Sequence, residues 1–145
     1  MSRKDRFHQA VRHALEKENW LITHDPFTIQ ISEAVKLKID LGAESTIGAQ
    51  RDREKIAVEI KSFSTDSDIS EFHAALGQYL NYIQALEDKE PDRVLHLAVP
   101  LETYNDFFQI PFIQKSLKRH AINLIIYDPV QEEIREWKSY NSTNK

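Results

Sequence analysis

The chain has 145 residues, 41% of them hydrophobic and 29% charged, with no cysteine and a formal net charge of −4. That length fits a single domain with one real core, and the missing cysteines exclude disulfides, thiolate metal ligands and a cysteine nucleophile. The acidic balance argues against a tight, non-specific nucleic-acid binder, whose affinity comes mostly from neutralising phosphates.

Residues 5–18 carry Phe7, Ala10, Val11, Ala14 and Leu15 at helical spacing, with charged residues opposite, and Asn19 is a plausible stop. The charged residues ahead of this helix lead into no apolar run, so no secretory signal is expected. No stretch approaches the roughly 20 apolar residues of a membrane span, and a cytoplasmic location is the expectation.

Trp20–Thr23 reads as a strand, and His24-Asp25-Pro26 as a bend. Residues 28–31 and 35–40 then alternate polar and apolar side chains, as paired half-buried strands do. A further strand is expected at 45–49, a charged turn at 51–54, and a central strand at 55–61 that is apolar on both faces until its end.

After a polar loop, Asp68-Ile69-Ser70-Glu71 fits a capping box opening a helix to about residue 87. Its expected buried stripe is Ile69, Phe72, Leu76, Leu80, Ile83 and Leu86. A strand follows at 93–99, ended by Pro100, then a helix or helical pair over 102–119 interrupted at Pro111. Strands at 122–127 and 133–137 complete the pattern, the last as an edge. Tyr79, Tyr82, Tyr104, Phe107, Phe108 and Phe112 are read as core. The single domain spans 1–145, with its core at about 5–138 and a frayed tail at 139–145. The condensed order, α-β-β-β-α-β-α-β, predicts an α/β fold, a mixed sheet flanked by helices on both faces.

Three residues stand out for chemistry. Asp40 ends one extended run, and Glu59 and Lys61 lie two apart on the next, so they project to one face. Phosphodiester hydrolysis uses a hard cation to polarise the phosphoryl oxygen and acidify an attacking water. Mg²⁺, or Mn²⁺ in its place, suits one or two carboxylates plus waters and substrate oxygens. Asp40 and Glu59 would supply carboxylates, the carbonyl of Ile60 a further ligand, and Lys61 would serve the water and screen the phosphate. The competing reading is a surface ion pair of Glu59 with Lys61, while Asp40 caps a turn at Gly42. His8 on the first helix and Gln78 on the second are weaker candidates, although Gly77 beside Gln78 suggests a close approach to that backbone. Three glycines leave no room for a phosphate loop or dinucleotide turn.

Several segments together resemble the XisH-like excision controlling factors of cyanobacteria. They are Phe7-His8-x-Ala10-Val11, Trp20-x-Ile22-Thr23-His24-Asp25-Pro26, Ile39-Asp40-Leu41-Gly42-Ala43-Glu44, Ile56-Ala57-Val58-Glu59-Ile60-Lys61-Ser62-Phe63, Ala75-Leu76-Gly77-Gln78-Tyr79 and Leu97-Ala98-Val99-Pro100. The resemblance implies a restriction-endonuclease-like fold with a PD-(D/E)XK site. Asp40, Glu59 and Lys61 would be its core, with Ile39 where many members have proline, and His8 and Gln78 would be its supports. It further implies a role in excising the fdxN element from DNA, alongside an XisI-type companion factor and a separate recombinase. A homodimer is a further expectation. The alternative within the same resemblance is a non-catalytic accessory protein that keeps the fold and binds the companion factor or recombinase.

Overall fold

The computed structural model describes residues 2–46, 53–63 and 67–140. Helix α1 (Arg3–Lys17) starts at Ser2, whose hydroxyl accepts from the Asp5 amide at 3.1 Å, and stops where Asn19 turns to a φ of 70°. Asparagine tolerates that left-handed conformation better than most residues do. Strands β1 (Leu21–His24), β2 (Phe27–Gln30), β3 (Lys36–Ile39), β4 (Leu41–Thr46) and β5 (Arg53–Ile60) follow. Then come α2 (Asp68–Lys89), β6 (Arg93–Pro100), α3 (Leu101–Asn105), a 3-10 turn at Phe107–Gln109, α4 (Pro111–Arg119), β7 (Asn123–Asp128) and β8 (Glu133–Ser139).

The six-stranded sheet runs β1-β4-β5-β6-β7-β8. Its centre, β5-β6-β7, is parallel and its flanks are antiparallel. A separate two-stranded ribbon pairs Phe27 with Ile39 and Gln30 with Lys36. Among the described residues this is a mixed α/β fold with an open mixed sheet and four α-helices. No helix among them is long and apolar enough to cross a membrane.

Strand alternation divides the core in two. Ile56, Val58, Ala98, Ile125 and Tyr127 meet Val11 and Leu15 of α1 on one face. Ala57, Leu95, Leu97, Val99, Leu124 and Ile126 meet Phe72, Ala75 and Tyr79 of α2, Phe108, and Ile113 and Leu117 of α4 on the other. Helices therefore cover both faces, and the period of two that sorts these side chains is the one visible in the sequence.

Five local expectations change. The strand expected at 45–49 begins at Leu41; residues 47–49 and the turn positions 51 and 52 lie outside the described residues. The α2 stripe is rotated: Ile69 and Leu80 are exposed, and Ala75, Tyr79, Tyr82 and Ala85 are buried with Phe72 and Leu86. The two tyrosines turn inward because their hydroxyls have acceptors there, Tyr79 on the Leu95 carbonyl at 3.1 Å and Tyr82 on the Lys38 carbonyl at 3.0 Å. The cap of α2 is Ser67, which accepts from the Ser70 amide at 3.2 Å, one residue before the expected Asp68. Phe112, expected in the core, is 65% exposed in the first turn of α4. At the other end, Ser139 closes β8 opposite Asn123 and Tyr140 is buried, while 141–145 lie outside the described residues.

Candidate metal centre

The carboxyl ends of the parallel strands β5, β6 and β7 meet at one edge, the usual place for ligands on such sheets. Asp40 is there because one run of chain leaves the ribbon at Ile39 and joins the sheet at Leu41, where Leu41 pairs with Val58. Beyond that pair the β4–β5 ladder has no further rung. The Ile60 amide donates instead to Asp40 Oδ2 at 2.8 Å. A strand residue's N–H and C=O point the same way, so the Ile60 carbonyl faces the Asp40 side too. The Asp40 amide in turn reaches Glu59 Oε1 at 3.4 Å. Lys61 Nζ lies 3.6 Å from Glu59 Oε2. The three residues expected to converge do so.

Lys61 is fixed through its backbone. Its amide donates to the Ala98 carbonyl at 3.0 Å. The next donor along β6 on that side would be residue 100, a proline without an N–H, and the Tyr127 hydroxyl donates to the Lys61 carbonyl at 3.3 Å.

Glu59 is 6% exposed, and burial raises its carboxyl pKa from 4.5 to about 7. The neighbouring Asp40 carboxylate adds to the rise, and the Lys61 ammonium only partly opposes it. Among the described residues one ammonium, that of Lys61, acts on the buried Glu59 carboxyl beside Asp40, a local deficit of positive charge that a divalent cation would remove. Burial, reinforced by the same two acids, pushes the Tyr82 hydroxyl up to about 12, so it stays a neutral donor.

No group of three or more histidine or acidic side chains forms a metal cage among the described residues. A hard cation that keeps several waters does not require one. Asp40, Glu59 and the Ile60 carbonyl fit its oxygen preference and could hold Mg²⁺ or Mn²⁺.

In front of this group opens a cavity of about 280 Å³ lined by Lys4, Phe7, His8, Asp40, Ile60, Lys61, Ser62 and Glu71. His8 thus joins the site from α1. Its Nε2 lies 2.8 Å from Asp25 Oδ1, and because a carboxylate only accepts, Nε2 carries the proton, and in the neutral ring Nδ1 keeps an acceptor lone pair. Arg12 holds the other Asp25 oxygen at 2.5 Å. Gln78 is not brought in: it is exposed on α2, and among the described residues outside that helix turn nothing lies within 4 Å of a Cβ added to Gly77. The candidates missing from the sequence reading are Lys4, Ser62, Asp25 and Glu71. Glu71 was hidden by its resemblance to a capping-box acid; with Ser67 as the cap it lies one position too far along for that role and lines the cavity.

The chain matches the family model described as XisH protein over residues 1–135. It is also similar to two proteins of known crystal structure. One is an XisH family protein from Nostoc punctiforme, 49% identical with a TM-score of 0.82, the match covering 92% of this chain and 98% of that one. The other is described as an fdxN element excision controlling factor protein from Anabaena variabilis, 48% identical with a TM-score of 0.82 and the same coverage. No curated protein matches the chain.

Proposed function

The chain belongs to the XisH family, and from that premise we propose that it is an excision controlling factor acting on DNA through a PD-(D/E)XK nuclease-type metal site. On this reading the sheet and its flanking helices are a restriction-endonuclease-like domain, working in the cytoplasm with a companion excision factor and a recombinase. The observation that carries it is the buried Glu59 carboxylate beside Asp40, with a single ammonium 3.6 Å away. Structural ion pairs seldom leave a buried acid undercompensated, whereas metal and catalytic sites often do.

Asp40, Glu59 and the Ile60 carbonyl would hold Mg²⁺ or Mn²⁺, which when bound polarises a phosphoryl oxygen and acidifies a water. Lys61 orients that water and offsets charge developing on the phosphate. His8, turned by Asp25, presents a nitrogen to the cavity for substrate or metal.

Thermal denaturation with Mg²⁺ or Mn²⁺ tests the site, because a ligand that binds only the folded state raises the melting temperature. The expected result is a rise with the unaltered protein and none with Glu59→Ala; no rise at millimolar metal defeats the reading. Incubation with supercoiled, branched and single-stranded DNA, with Lys61→Ala as control, then tests cleavage. A second reading, a non-catalytic accessory factor, is favoured by the net charge of −4. It predicts metal binding without cleavage.

A further inference from the structure

A second hollow lies on the α1 side of the sheet, at the end remote from Asp40. Helix α1 stops at Lys17, and beyond it the sheet face carrying Ile56, Val94 and His96 continues with no helix of the described residues above it. The hollow encloses about 590 Å³, roughly twice the cavity at Asp40. Both tryptophans of the chain line it, their rings 5.6 Å apart and inclined at 31°. Trp137 is locked in place: its indole N–H donates to the Glu18 carboxylate at 2.9 Å, and the His96 ring packs edge-to-face against it at 5.2 Å. Neither tryptophan is fully buried, although each has apolar surface to hide.

The charges around these rings have a sign. Among the described residues, Glu18, Glu54 and Asp92 line the hollow against one ammonium, that of Lys55, which Asp92 already engages at 3.5 Å. His96 adds no charge, since burial keeps its imidazole neutral at physiological pH. A phosphate would meet surplus carboxylates here. A wholly apolar group would strip those carboxylates of water without replacing it. A cation is attracted both by the carboxylates and by the negative faces of the indoles. A guanidinium suits the place better than an ammonium, because it is planar, stacks on aromatic rings and forks onto a carboxylate.

We propose that this hollow docks an arginine side chain carried by a segment of a protein partner. The volume exceeds what one side chain fills, so residues flanking the arginine lie along Ile56 and the exposed Val94. Tryptophans that are anchored and partly exposed are the residues on which protein interfaces concentrate their energy. The assignment is independent of the metal centre, and either can fail without the other.

The two tryptophans are also the reporters. Acetyl-Val-Arg-Val-amide is titrated at low ionic strength while tryptophan emission is read, with acetyl-Val-Glu-Val-amide as control. The expected result is a saturable change with the arginine peptide alone, its midpoint rising with added salt. The double variant Glu18→Gln with Glu54→Gln, which changes only exposed side chains, weakens the midpoint at least fivefold. Lys55→Gln, which removes the competing cation, tightens it. Opposite movements are what a general loosening of the fold would not produce. An equal response to both peptides, no saturable change, or the two charge variants moving together overturns the proposal. So does a concentration-dependent doubling of mass in sedimentation that itself shifts the emission, because the occupant is then a second copy of the chain.

Discussion

The Tyr127 hydroxyl donates to the Lys61 carbonyl at 3.3 Å, in the place in the parallel ladder that Pro100 leaves without an N–H. Tyr127 is fully buried, and burial, reinforced by Asp40, raises its pKa so that it remains a donor. Tyr127→Phe leaves the carbonyl of Lys61 short of a partner. The bond is part-buried, so the expected loss is about 0.5–1.5 kcal/mol, the net contribution of a typical hydrogen bond. Urea denaturation measures it, and a variant as stable as the original removes this bond from the account of how Lys61 is held.

Glu59→Gln is expected to do two opposite things. Removing an undercompensated buried carboxylate stabilises the metal-free protein by about 1–3 kcal/mol near neutral pH. The same change abolishes stabilisation by Mg²⁺. Melting curves with and without the metal read both, and a variant less stable without metal contradicts the charge argument made for the site.

Two buried groups make the pH profile informative. Folded Glu59 keeps its proton to about pH 7 against 4.5 for the free carboxyl, so its contribution to stability is lost as pH rises through that window. Folded His96 resists protonation down to about pH 4 against 6.5, so its contribution is lost as pH falls from 6.5 to 4. The slopes oppose each other between about pH 4.5 and 6.5. Relative to the unaltered protein, Glu59→Gln should gain about 2–3 kcal/mol of additional rise across that interval, and His96→Phe should show an additional fall of similar size. Parallel profiles in the two variants would sink the assignment.

Glu71 and Gln78 lie on the same helix, and the cavity at Asp40 takes one of them. Glu71→Gln should change Mg²⁺ affinity by several-fold, in calorimetric titration, whereas Gln78→Ala leaves it within error. A metal response to Gln78→Ala would place that amide nearer the ion than its exposed position on α2 suggests.

Apart from β4, which begins four residues earlier than expected, the strands and the three convergent residues were legible: a run apolar on both faces marks 55–60 as central, and spacing of two unites Glu59 with Lys61. The rotation of α2 was not legible, because hydrophobicity alone ranks Leu80 above Tyr79. What decides the matter is a main-chain acceptor at Leu95, sixteen residues away in sequence. Asp25 was similarly hidden. It reads as part of a bend before proline, and its pairing with His8 and Arg12 exists only once α1 lies beside that bend. Glycine misled in the other direction, since Gly77 sits where there is open space.

Asp40 is the one residue between a strand that belongs to the ribbon and a strand that belongs to the sheet. Both neighbours are buried, Ile39 in the α2-side core and Leu41 in the α1-side core. Side chains there can be exchanged for others of like size, but the count of residues cannot change. Adding or deleting one would force either Ile39 or Leu41 out of its core or turn the carboxylate to the opposite face. The centre is therefore specified by a length of chain as strictly as by its acids, and natural variants should show substitutions around Asp40 but no insertions or deletions.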